Sequence, residues 1–366
     1  MIKIINKFIF FFLLIFILIS CDSNSFKSKE FIYPDKLCKK TLYTIDNGYR
    51  NGEGAFILLK NNQLAYIYTC FSGTKDNSYS DICMIKSINE SKTKWSEPKI
   101  LIYNNAVENI MSVSAIRMKN GSILIQYLKK NSCNDLVIAR RFSYDELKTF
   151  SKEYILDVGD GYNVVNNDRI INVNHNIYVP ISKHFCINGK FIYNGKILLA
   201  ITSEKNVKKI IQIPTNDSNI TFQEPGIFHI LHTKKMIVWL RNSSTNIMFS
   251  KSQDWGMHFN KPEKGILQVV PYSPSSIKVY NNSDVFIIYN KYTKNNKENK
   301  RAPLVLSILD ASLKNIKKEY IIENNSSLDY EYISMYKDSN DLVIAYYVQN
   351  KNNFILKILK LKGLVK

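Results

Sequence analysis

The stretch SKSQDWGMHF, at residues 250–259, is the clearest copy of a motif that recurs along the chain. It reads Ser-x-Asp-x-Gly-x-x-aromatic, with Ser252, Asp254, Gly256 and Phe259 in the fixed places. An aspartate side chain can accept hydrogen bonds from backbone N–H groups two residues further on, and glycine adopts a positive φ without steric cost. We interpret the motif as a stabiliser of a β-hairpin, so it informs the fold and not the chemistry.

Weaker copies of this motif follow one another at a regular step. In SYDELKTF the serine and the aspartate are kept as Ser143 and Asp145, but Leu147 stands where glycine would be. The serines that open the five copies are Ser87, Ser143, Ser203, Ser252 and Ser307. They lie 56, 60, 49 and 55 residues apart. A step of this size, with several short apolar runs in each interval, is typical of the blades of a β-propeller.

Apolar runs of strand length keep the same step. Six of them follow a polar turn, and they open at Leu64, Ile123, Ile177, Met236, Val285 and Leu342. No amphipathic pattern of helix length occurs after the N-terminal segment. We therefore predict an all-β chain in which residues 41–366 form a six-bladed β-propeller, with the strand TLYTI at 41–45 completing the last blade and closing the ring.

The N-terminus has the features of an export signal. MIKIINK carries two lysines, FIFFFLLIFILIS is an unbroken apolar run, and Cys21 follows. The ending LISC resembles the lipobox of bacterial lipoproteins, which implies cleavage before Cys21 and lipidation of that residue. We predict a signal peptide at 1–20, a lipidated tether at 21–40, and a lipid-anchored location in the bacterial cell envelope; a transmembrane anchor is the alternative.

The charge and the cysteines narrow the possible partners. The formal net charge is +19, but the lysines are scattered and no nucleic-acid motif occurs, so we predict no nucleic-acid partner and favour an anionic carbohydrate or an acidic surface. The cysteines show no C-x-x-C spacing, so no metal site is expected. Cys70 and Cys83 flank one loop and could pair, although we favour two small buried thiols.

A propeller with these motifs behind an export signal resembles the bacterial exo-sialidases (neuraminidases), over roughly residues 46–350. The early arginine of that family is matched by Arg50 in GYRNGEGAFILL, where the tyrosine of Tyr-Arg-Ile-Pro is kept and Ile-Pro is absent. The acid/base aspartate of the following loop is matched by Asp76 in FSGTKDNSYSDICMIKS, with Asp81 as the alternative.

The later residues of the resemblance occur in the family's order. QEPGIFHILHTKKMIVWLRN supplies the glutamate as Glu224 and the second arginine as Arg241. KRAPLVLSILD supplies the third arginine as Arg301. DYEYISMYKD supplies the nucleophilic tyrosine as Tyr332, with Tyr330 as the alternative.

A further polar group opens another inner strand in VVNNDRIINV. We predict that Asn167, Asp168 and Arg169 contact substrate there, and a buried hydrogen-bond network is the alternative. Because the inner strands of a propeller run in the same direction, their starts gather around one mouth of the central channel. Arg50, Glu224 and Tyr332 lie at or just before such starts.

The residue types suit the chemistry that the resemblance implies. A guanidinium group binds a carboxylate through two hydrogen bonds, and sialic acid carries a carboxylate on its anomeric carbon. Because this carboxylate repels an anionic nucleophile, a neutral tyrosine suits the site better than a second carboxylate of the protein. Glu224 would take the phenol proton, and Asp76 would protonate the leaving oxygen, which requires a raised pKa.

We therefore predict a monomeric retaining exo-α-sialidase that needs no cofactor and no metal and acts on sialylated glycans. One alternative is a related hydrolase for another acidic sugar. A second alternative is a glycan-binding lipoprotein without catalytic activity.

Overall fold

A computed structural model describes residues 37–215, 219–293 and 300–365. Within these ranges the chain consists of strands, turns and loops, without a helix. The described residues therefore include no helix long and apolar enough to cross a membrane. The predicted signal peptide at 1–20, Cys21 and most of the tether at 21–40 lie outside the described residues.

The strands are short and follow one another closely. Those of the first half are β1 (Lys39–Ile45), β2 (Asn51–Leu58), β3 (Leu64–Phe71), β4 (Ser80–Lys86), β5 (Lys99–Ile102), β6 (Asn109–Arg117), β7 (Ile123–Ser132), β8 (Asp135–Ser143), β9 (Tyr154–Leu156), β10 (Gly161–Val164), β11 (Ile171–Val173), β12 (Asn176–His184), β13 (Cys186–Ile187) and β14 (Lys190–Phe191). Those of the second half are β15 (Lys196–Thr202), β16 (Val207–Gln212), β17 (Phe222–His229), β18 (Met236–Asn242), β19 (Asn246–Ser252), β20 (Glu263–Gln268), β21 (Ser276–Val279), β22 (Asp284–Asn290), β23 (Leu304–Asp310), β24 (Ile316–Glu323), β25 (Asp329–Asp338), β26 (Asp341–Asn350) and β27 (Asn353–Leu361).

These strands form a propeller-like series of sheets. Four sheets have four strands each: β2 to β5, β17 to β20, β21 to β24, and β25 to β27 with β1. A nine-stranded sheet contains β6 to β12 with β15 and β16, and β13 and β14 form a separate hairpin. The prediction of an all-β, propeller-like chain is confirmed. The blade number of six stays a prediction, because β8 and β10 pair in parallel and join their neighbours into one sheet.

The first and last strands of the described chain close the series. β1 pairs antiparallel with β27, with Lys39 opposite Leu361 and Ile45 opposite Leu356. The prediction that residues 41–45 complete the last sheet is therefore confirmed, and the strand starts two residues earlier than expected. The first strands of successive sheets also touch, since β2 contacts β6 and β25, and β21 contacts β17 and β25.

Burial explains the two kinds of strand sequence. A middle strand such as β22, with the sequence DVFIIYN, is buried along almost its whole length because other sheets cover both of its faces. An outer strand such as β24, with the sequence IKKEYIIE, exposes its lysines at the sheet edge. Charged edge strands of this kind resist pairing with other chains. Some of the scattered lysines are thus explained by their position on exposed edge strands.

The motif at Ser252 builds a tight turn. The Ser252 hydroxyl donates to Asp254 and accepts from the Gly256 N–H (2.9 Å). Asp254 Oδ1 accepts from the N–H groups of Met257 and His258, at 3.1 and 3.0 Å. The carboxylate therefore reaches three and four residues on, and not the two that we expected. The hairpin role is otherwise confirmed.

The weaker copy at Ser143 has the same geometry. Asp145 accepts from the N–H groups of Lys148 and Thr149, and the bonds from Thr149, Ser143 and Lys148 lower the pKa of Asp145 to about 2. Leu147 takes the place of glycine at φ 68° and buries its side chain in the core. Packing thus compensates for a conformation that leucine rarely adopts.

The described part of the chain contains two disulfides, Cys70–Cys83 and Cys133–Cys186. The expectation that Cys70 and Cys83 are unpaired is wrong. Cys70 faces Asp81 and Cys83 faces Tyr68 on the neighbouring strands β3 and β4, so the two cysteines are diagonal neighbours within bonding distance, with Cα atoms 5.9 Å apart. The second disulfide joins residues 53 positions apart, which sequence spacing does not reveal.

We expect Ser252→Ala to lower the free energy of unfolding by about 1–3 kcal/mol, because it leaves the buried Gly256 N–H without an acceptor. Ser203→Ala is the matched control. Ser203 opens another copy, but its bonds to Asn206 are exposed, so the loss should stay below about 0.5 kcal/mol. Urea denaturation of both variants measures the difference, and equal losses would contradict a specific structural role of the motif.

Candidate active site

Four inner strands carry the same irregularity near their starts. In β2, β6, β17 and β25 two residues face a single residue of the next strand, which is a β-bulge. The first residue of each bulge has a positive φ, and these residues are Glu53 (51°), Ser112 (59°), Glu224 (29°) and Tyr332 (53°). None of them is a glycine, although glycine is the residue that adopts this conformation freely.

The bulges bring distant side chains together. A bulge turns a side chain out of the regular alternation of its strand. All four bulge residues line one cavity of about 410 Å³, a size typical of small-molecule sites. Backbone conformations of this kind cost free energy and concentrate at functional sites. The cavity is therefore the candidate active site.

The cavity has a charged side and an apolar side. Besides Glu53, Glu224 and Tyr332, the charged side contains Arg50, Asp76 and Arg241. Its apolar side is formed by Met111, Leu128, Leu136, Val164 and Phe191. Five of the residues predicted from sequence thus share one cavity: Arg50, Asp76, Glu224, Arg241 and Tyr332.

Arg50 is buried and contacts two carboxylates. Its Nη2 donates to Glu53 Oε1 at 2.5 Å, and its Nη1 donates to Asp76 Oδ1. Glu53 also accepts from the Ser112 hydroxyl at 2.6 Å. Sequence reasoning missed Glu53, although an acid three residues after a predicted functional arginine, at the start of a buried strand, was a usable signal.

Asp76 lies in the loop between β3 and β4, and its side chain is 81% exposed. Desolvation acts to raise the pKa of Asp76, but the charge and the hydrogen bond of Arg50 outweigh it and lower that pKa overall. This direction is opposite to the raised pKa that we expected of a general acid. In this structure Asp76 is an ionised partner of Arg50.

Glu224 and Arg241 form a second, partly buried pair, with 2.5 Å between Oε2 and Nη1. Asn166 donates to the same Glu224 oxygen at 2.7 Å, and Arg241 Nε donates to the Tyr272 carbonyl at 2.6 Å. Burial opposes the charge of Arg241, but Glu224 beside it raises the Arg241 pKa well above its usual value. Arg241 is therefore charged at all ordinary pH values.

Tyr332 lies between the two pairs. Its ring centroid is 5.5 Å from the guanidinium carbon of Arg50. Burial raises the pKa of the Tyr332 phenol, the charge of Glu224 raises it further, and Arg241 and Arg50 act in the opposite direction. The phenol is thus neutral at neutral pH, and loss of its proton requires a base.

Arg301 does not line the cavity. It forms an ion pair with Glu331 and donates to the Tyr272 carbonyl at 3.3 Å, which is the same oxygen that Arg241 contacts. Glu331 in turn accepts from the Tyr347 hydroxyl at 2.8 Å. Arg301 therefore lies next to Arg241, where Glu331 and the Tyr272 carbonyl hold its guanidinium.

The group Asn167, Asp168 and Arg169 also lies outside the cavity lining. Asn167 donates to the Gly54 carbonyl at 2.9 Å, Asp168 pairs with Lys278 at 2.7 Å, and Arg169 lies over the Trp239 ring at 4.7 Å. This differs from the expected substrate contact, because neighbouring strands already occupy these side chains. It matches the alternative of a buried network, and the neighbouring Asn166 reaches the cavity instead.

The two alternative residues lie away from the cavity. Asp81 accepts from the Asn104 N–H at 2.7 Å and from the Tyr79 hydroxyl at 3.1 Å. Tyr330 is 1% exposed and belongs to the core. The described residues also contain no cluster of three or more His, Cys, Asp or Glu arranged to hold a metal ion.

The family model of the BNR repeat-like domain matches residues 66–344. No significantly similar sequence was found among curated proteins. Among solved structures, a protein of unknown function from Dyadobacter fermentans superposes with a TM-score of 0.69 and 14% identity, covering 88% of this chain and 99% of the other.

Two similar structures are of sialidases. An intramolecular trans-sialidase from Ruminococcus gnavus, in complex with oseltamivir carboxylate, has a TM-score of 0.65 and 12% identity, covering 87% of this chain and 96% of the other. A sialidase from Trypanosoma rangeli, in complex with sialic acid, has a TM-score of 0.60 and 13% identity, covering 86% of this chain and 55% of the other. At these identities the likeness shows the fold alone.

We expect Glu53→Gln to lower the free energy of unfolding by about 3 kcal/mol, because it removes the buried partner of a buried arginine. Asp76→Asn is the matched control, since Asp76 contacts the same arginine from an exposed position, and its loss should cost less than about 1 kcal/mol. Chemical denaturation of both variants gives the comparison. A larger loss for Asp76→Asn would contradict this assignment of the two carboxylates.

Proposed function

The chain belongs to the BNR repeat-like domain family, and from that premise we propose that it is an exo-α-sialidase, a glycoside hydrolase that releases terminal sialic acid with retention. One observation carries the proposal. Arg50, Asp76, Glu224, Arg241 and Tyr332 come from separate strands and loops and line a single cavity. Two arginines, two carboxylates and a phenol are the groups that hydrolysis of an acidic sugar needs.

Arg50 and Arg241 would bind the sugar carboxylate. Arg50 is buried and the Arg241 side chain is only 10% exposed, and a charge-assisted hydrogen bond is strong there because little water competes for it. Each already contacts a carboxylate of the protein, so a substrate carboxylate must replace one of these partners. Of these partners, Asp76 is exposed and easily displaced, whereas Glu53 is buried. The substrate carboxylate would therefore replace Asp76 at Arg50.

This exchange supplies the general acid. When Asp76 loses the Arg50 contact, the main influence that lowers its pKa disappears, so desolvation is opposed only by the charges of Lys130 and Arg241 and that pKa rises. Asp76 can then carry a proton to the leaving oxygen. The lowered pKa of Asp76 in the substrate-free protein is thus compatible with a general acid that becomes competent only once an anionic substrate is bound.

Tyr332 would be the nucleophile. Its phenol oxygen attacks the anomeric carbon as Glu224 takes the phenol proton, and the bond to the leaving oxygen breaks as Asp76 protonates that oxygen. A glycosyl–tyrosine intermediate results. Asp76, now a carboxylate, then removes a proton from water, whose oxygen attacks the same carbon, and Tyr332 leaves with the proton held by Glu224. Two displacements retain the configuration.

The remaining residues would support this site. Arg301 shares the Tyr272 carbonyl with Arg241 and would hold that arginine in place, and it would not bind substrate directly. The apolar side of the cavity suits a non-polar substituent on the sugar. A sugar that carries both a carboxylate and an acyl group is therefore the substrate class that the lining favours.

We further propose that the nine-stranded sheet is two blades joined at their edges, so that residues 41–366 form six blades. Export is supported by two disulfides, which persist in oxidising compartments. We propose a monomer that is lipidated at Cys21 and anchored in the bacterial cell envelope, with the signal peptide at 1–20 removed. Sialylated glycans would be its partners there.

Two other functions compete with this one. A hydrolase for another acidic sugar would use the same residues on a different substrate. A non-catalytic glycan-binding protein is favoured by the lowered pKa and the exposure of Asp76, which describe an ionised surface group. These alternatives differ from a sialidase in turnover and not in fold, so enzymatic assays separate them.

We expect the full-length protein to release fluorophore from a 4-methylumbelliferyl sialoside, and Tyr332→Phe to lower kcat at least about 1,000-fold, since it removes the nucleophilic oxygen. Tyr330→Phe is the matched control. It lies on the same strand with its side chain in the core, so it should keep kcat within about threefold.

The pattern of outcomes distinguishes the functions. Full activity of Tyr332→Phe would refute the nucleophile. Silence of the folded wild type towards the sialoside, with turnover of another acidic glycoside, would favour the first alternative. Binding of sialyllactose without release from any glycoside would favour the non-catalytic protein.

We expect Asp76→Asn to slow hydrolysis of sialyllactose at least about 100-fold, but to slow hydrolysis of the 4-methylumbelliferyl sialoside much less. A good leaving group departs without a proton donor, whereas a sugar hydroxyl does not. Steady-state kinetics give kcat/KM on both substrates, which reports the first displacement and not the later attack of water that Asp76 also assists. An equal loss on the two substrates would show that Asp76 acts in binding and not as the acid.

A further inference from the structure

One wall of the cavity belongs to a small hairpin outside the large sheets. Residues 185–193 connect β12 to β15 and contain the short pair β13 and β14. Phe191 and Tyr193 from this segment line the cavity. We call residues 185–193 the wall hairpin.

Phe191 is the centre of an aromatic cluster. Its ring stacks on His184 with centroids 5.0 Å apart, and it meets the rings of Tyr162 and Tyr193 edge-on, at 5.2 and 5.3 Å. His184 is fixed by the Ile192 carbonyl and the Ser182 hydroxyl, each at 3.0 Å. The position of Phe191 therefore sets the shape of the apolar side of the cavity.

The wall hairpin has few other attachments. Much of its apolar surface faces water, since Phe185 is 41% exposed, Ile187 is 58% exposed and Tyr193 is 66% exposed. Three further hydrogen bonds attach its ends. The Cys186 N–H donates to the Asn134 side chain at 2.7 Å, and the Asn134 amide donates to the Cys186 carbonyl at 3.3 Å. The Gln223 amide donates to the Tyr193 carbonyl at 3.3 Å. A segment with little buried surface opens easily unless something else restrains it.

The restraint is the disulfide between Cys133 and Cys186. Cys133 lies in the turn between β7 and β8 and itself lines the cavity, whereas Cys186 begins β13 of the wall hairpin. This bond cross-links the hairpin to the turn between β7 and β8, in addition to the backbone connections to β12 and β15. Cys133 is exposed, so a thiol reductant can reach the bond.

The other disulfide differs in both respects. Cys70 and Cys83 lie on β3 and β4, which are already hydrogen-bonded along their length, and Cys83 is 5% exposed. Loss of that bond leaves the strand ladder to hold the two residues together. It therefore provides an internal control for the loss of a disulfide as such.

We propose that the Cys133–Cys186 disulfide is a positioning element of the site. It holds the wall hairpin so that Phe191 and Tyr193 form a fixed apolar wall. A thiol reductant releases this wall and weakens ligand binding. The reaction is thiol–disulfide exchange. A thiolate of the reductant attacks one sulfur, and its second thiol completes the exchange. Two thiols form on the protein and the reductant becomes a disulfide.

The effect on catalysis rests on the proposed hydrolysis, but the effect on the hairpin does not. With the disulfide removed, binding must first reorder several side chains of the wall, so KM should rise about tenfold. The value of kcat should change less than about threefold, because the charged side of the cavity is untouched. A purely structural disulfide would instead lower stability and the amount of active protein.

The experiment compares two double variants of the full-length protein in detergent, Cys133→Ser with Cys186→Ser and Cys70→Ala with Cys83→Ala. We expect the tenfold rise in KM only in the first. Wild type treated with dithiothreitol should behave like the first variant. In a Phe191→Ala background, loss of Cys133–Cys186 should change KM by less than about twofold, because the wall is already lost.

Hydrogen exchange provides a readout that needs no activity. The amides of residues 185–193 should exchange at least about fivefold faster in the Cys133→Ser, Cys186→Ser variant, with the strands of the sheets unchanged. Equal exchange of these amides in wild type and variant would overturn the proposal. An equal rise in KM in both double variants would also overturn it. If wild type hydrolyses nothing, the exchange result alone decides the proposal, and only the proposed function fails.

Discussion

The site depends on one backbone constraint, a residue with positive φ near the start of each bulged inner strand. In a regular strand, each of Glu53, Glu224 and Tyr332 would point into one face of its own sheet, where a neighbouring sheet packs. The extra residue of each bulge turns these side chains into the cavity instead, and the hydrogen-bonded ladders on both sides hold the strained backbone. The same bulge near the start of four inner strands thus produces a polar pocket.

Charge balance follows from that geometry. Three arginines meet at or behind the cavity, and each has a carboxylate beside it. A buried guanidinium without such a partner would cost several kcal/mol (roughly the desolvation penalty of one ion). The pairs hold the guanidinium groups in fixed positions, so that an anion can bind them once one carboxylate has moved aside. Asp76 differs from the other partners because it is exposed, and this difference makes it the group that an anionic ligand can displace.

Much of the architecture follows from the sequence alone, because it depends on local rules. The aspartate turns, the buried middle strands and the closing strand at 41–45 are encoded in patterns of a few residues. The resemblance also led to Arg50, Asp76, Glu224, Arg241 and Tyr332, which the structure brings into one cavity, while their catalytic roles remain a proposal. What sequence could not reveal depends on contacts between distant segments. Positive φ at non-glycine residues leaves no local signature, so the bulge at Glu53 was missed. The partners of Arg301, Asn167 and Arg169, and the disulfide that holds the wall hairpin, are likewise set by tertiary packing.

The nucleophile is the central claim, and covalent trapping tests it most directly. Incubation of the full-length protein with 2,3-difluorosialic acid should let Tyr332 displace the fluoride at the anomeric carbon, and the remaining fluorine should slow hydrolysis of the intermediate. Peptide mapping by mass spectrometry should then find the sugar adduct on Tyr332, and Tyr332→Phe should carry none. An adduct on another residue, or no adduct on the folded wild type, would contradict the proposed mechanism.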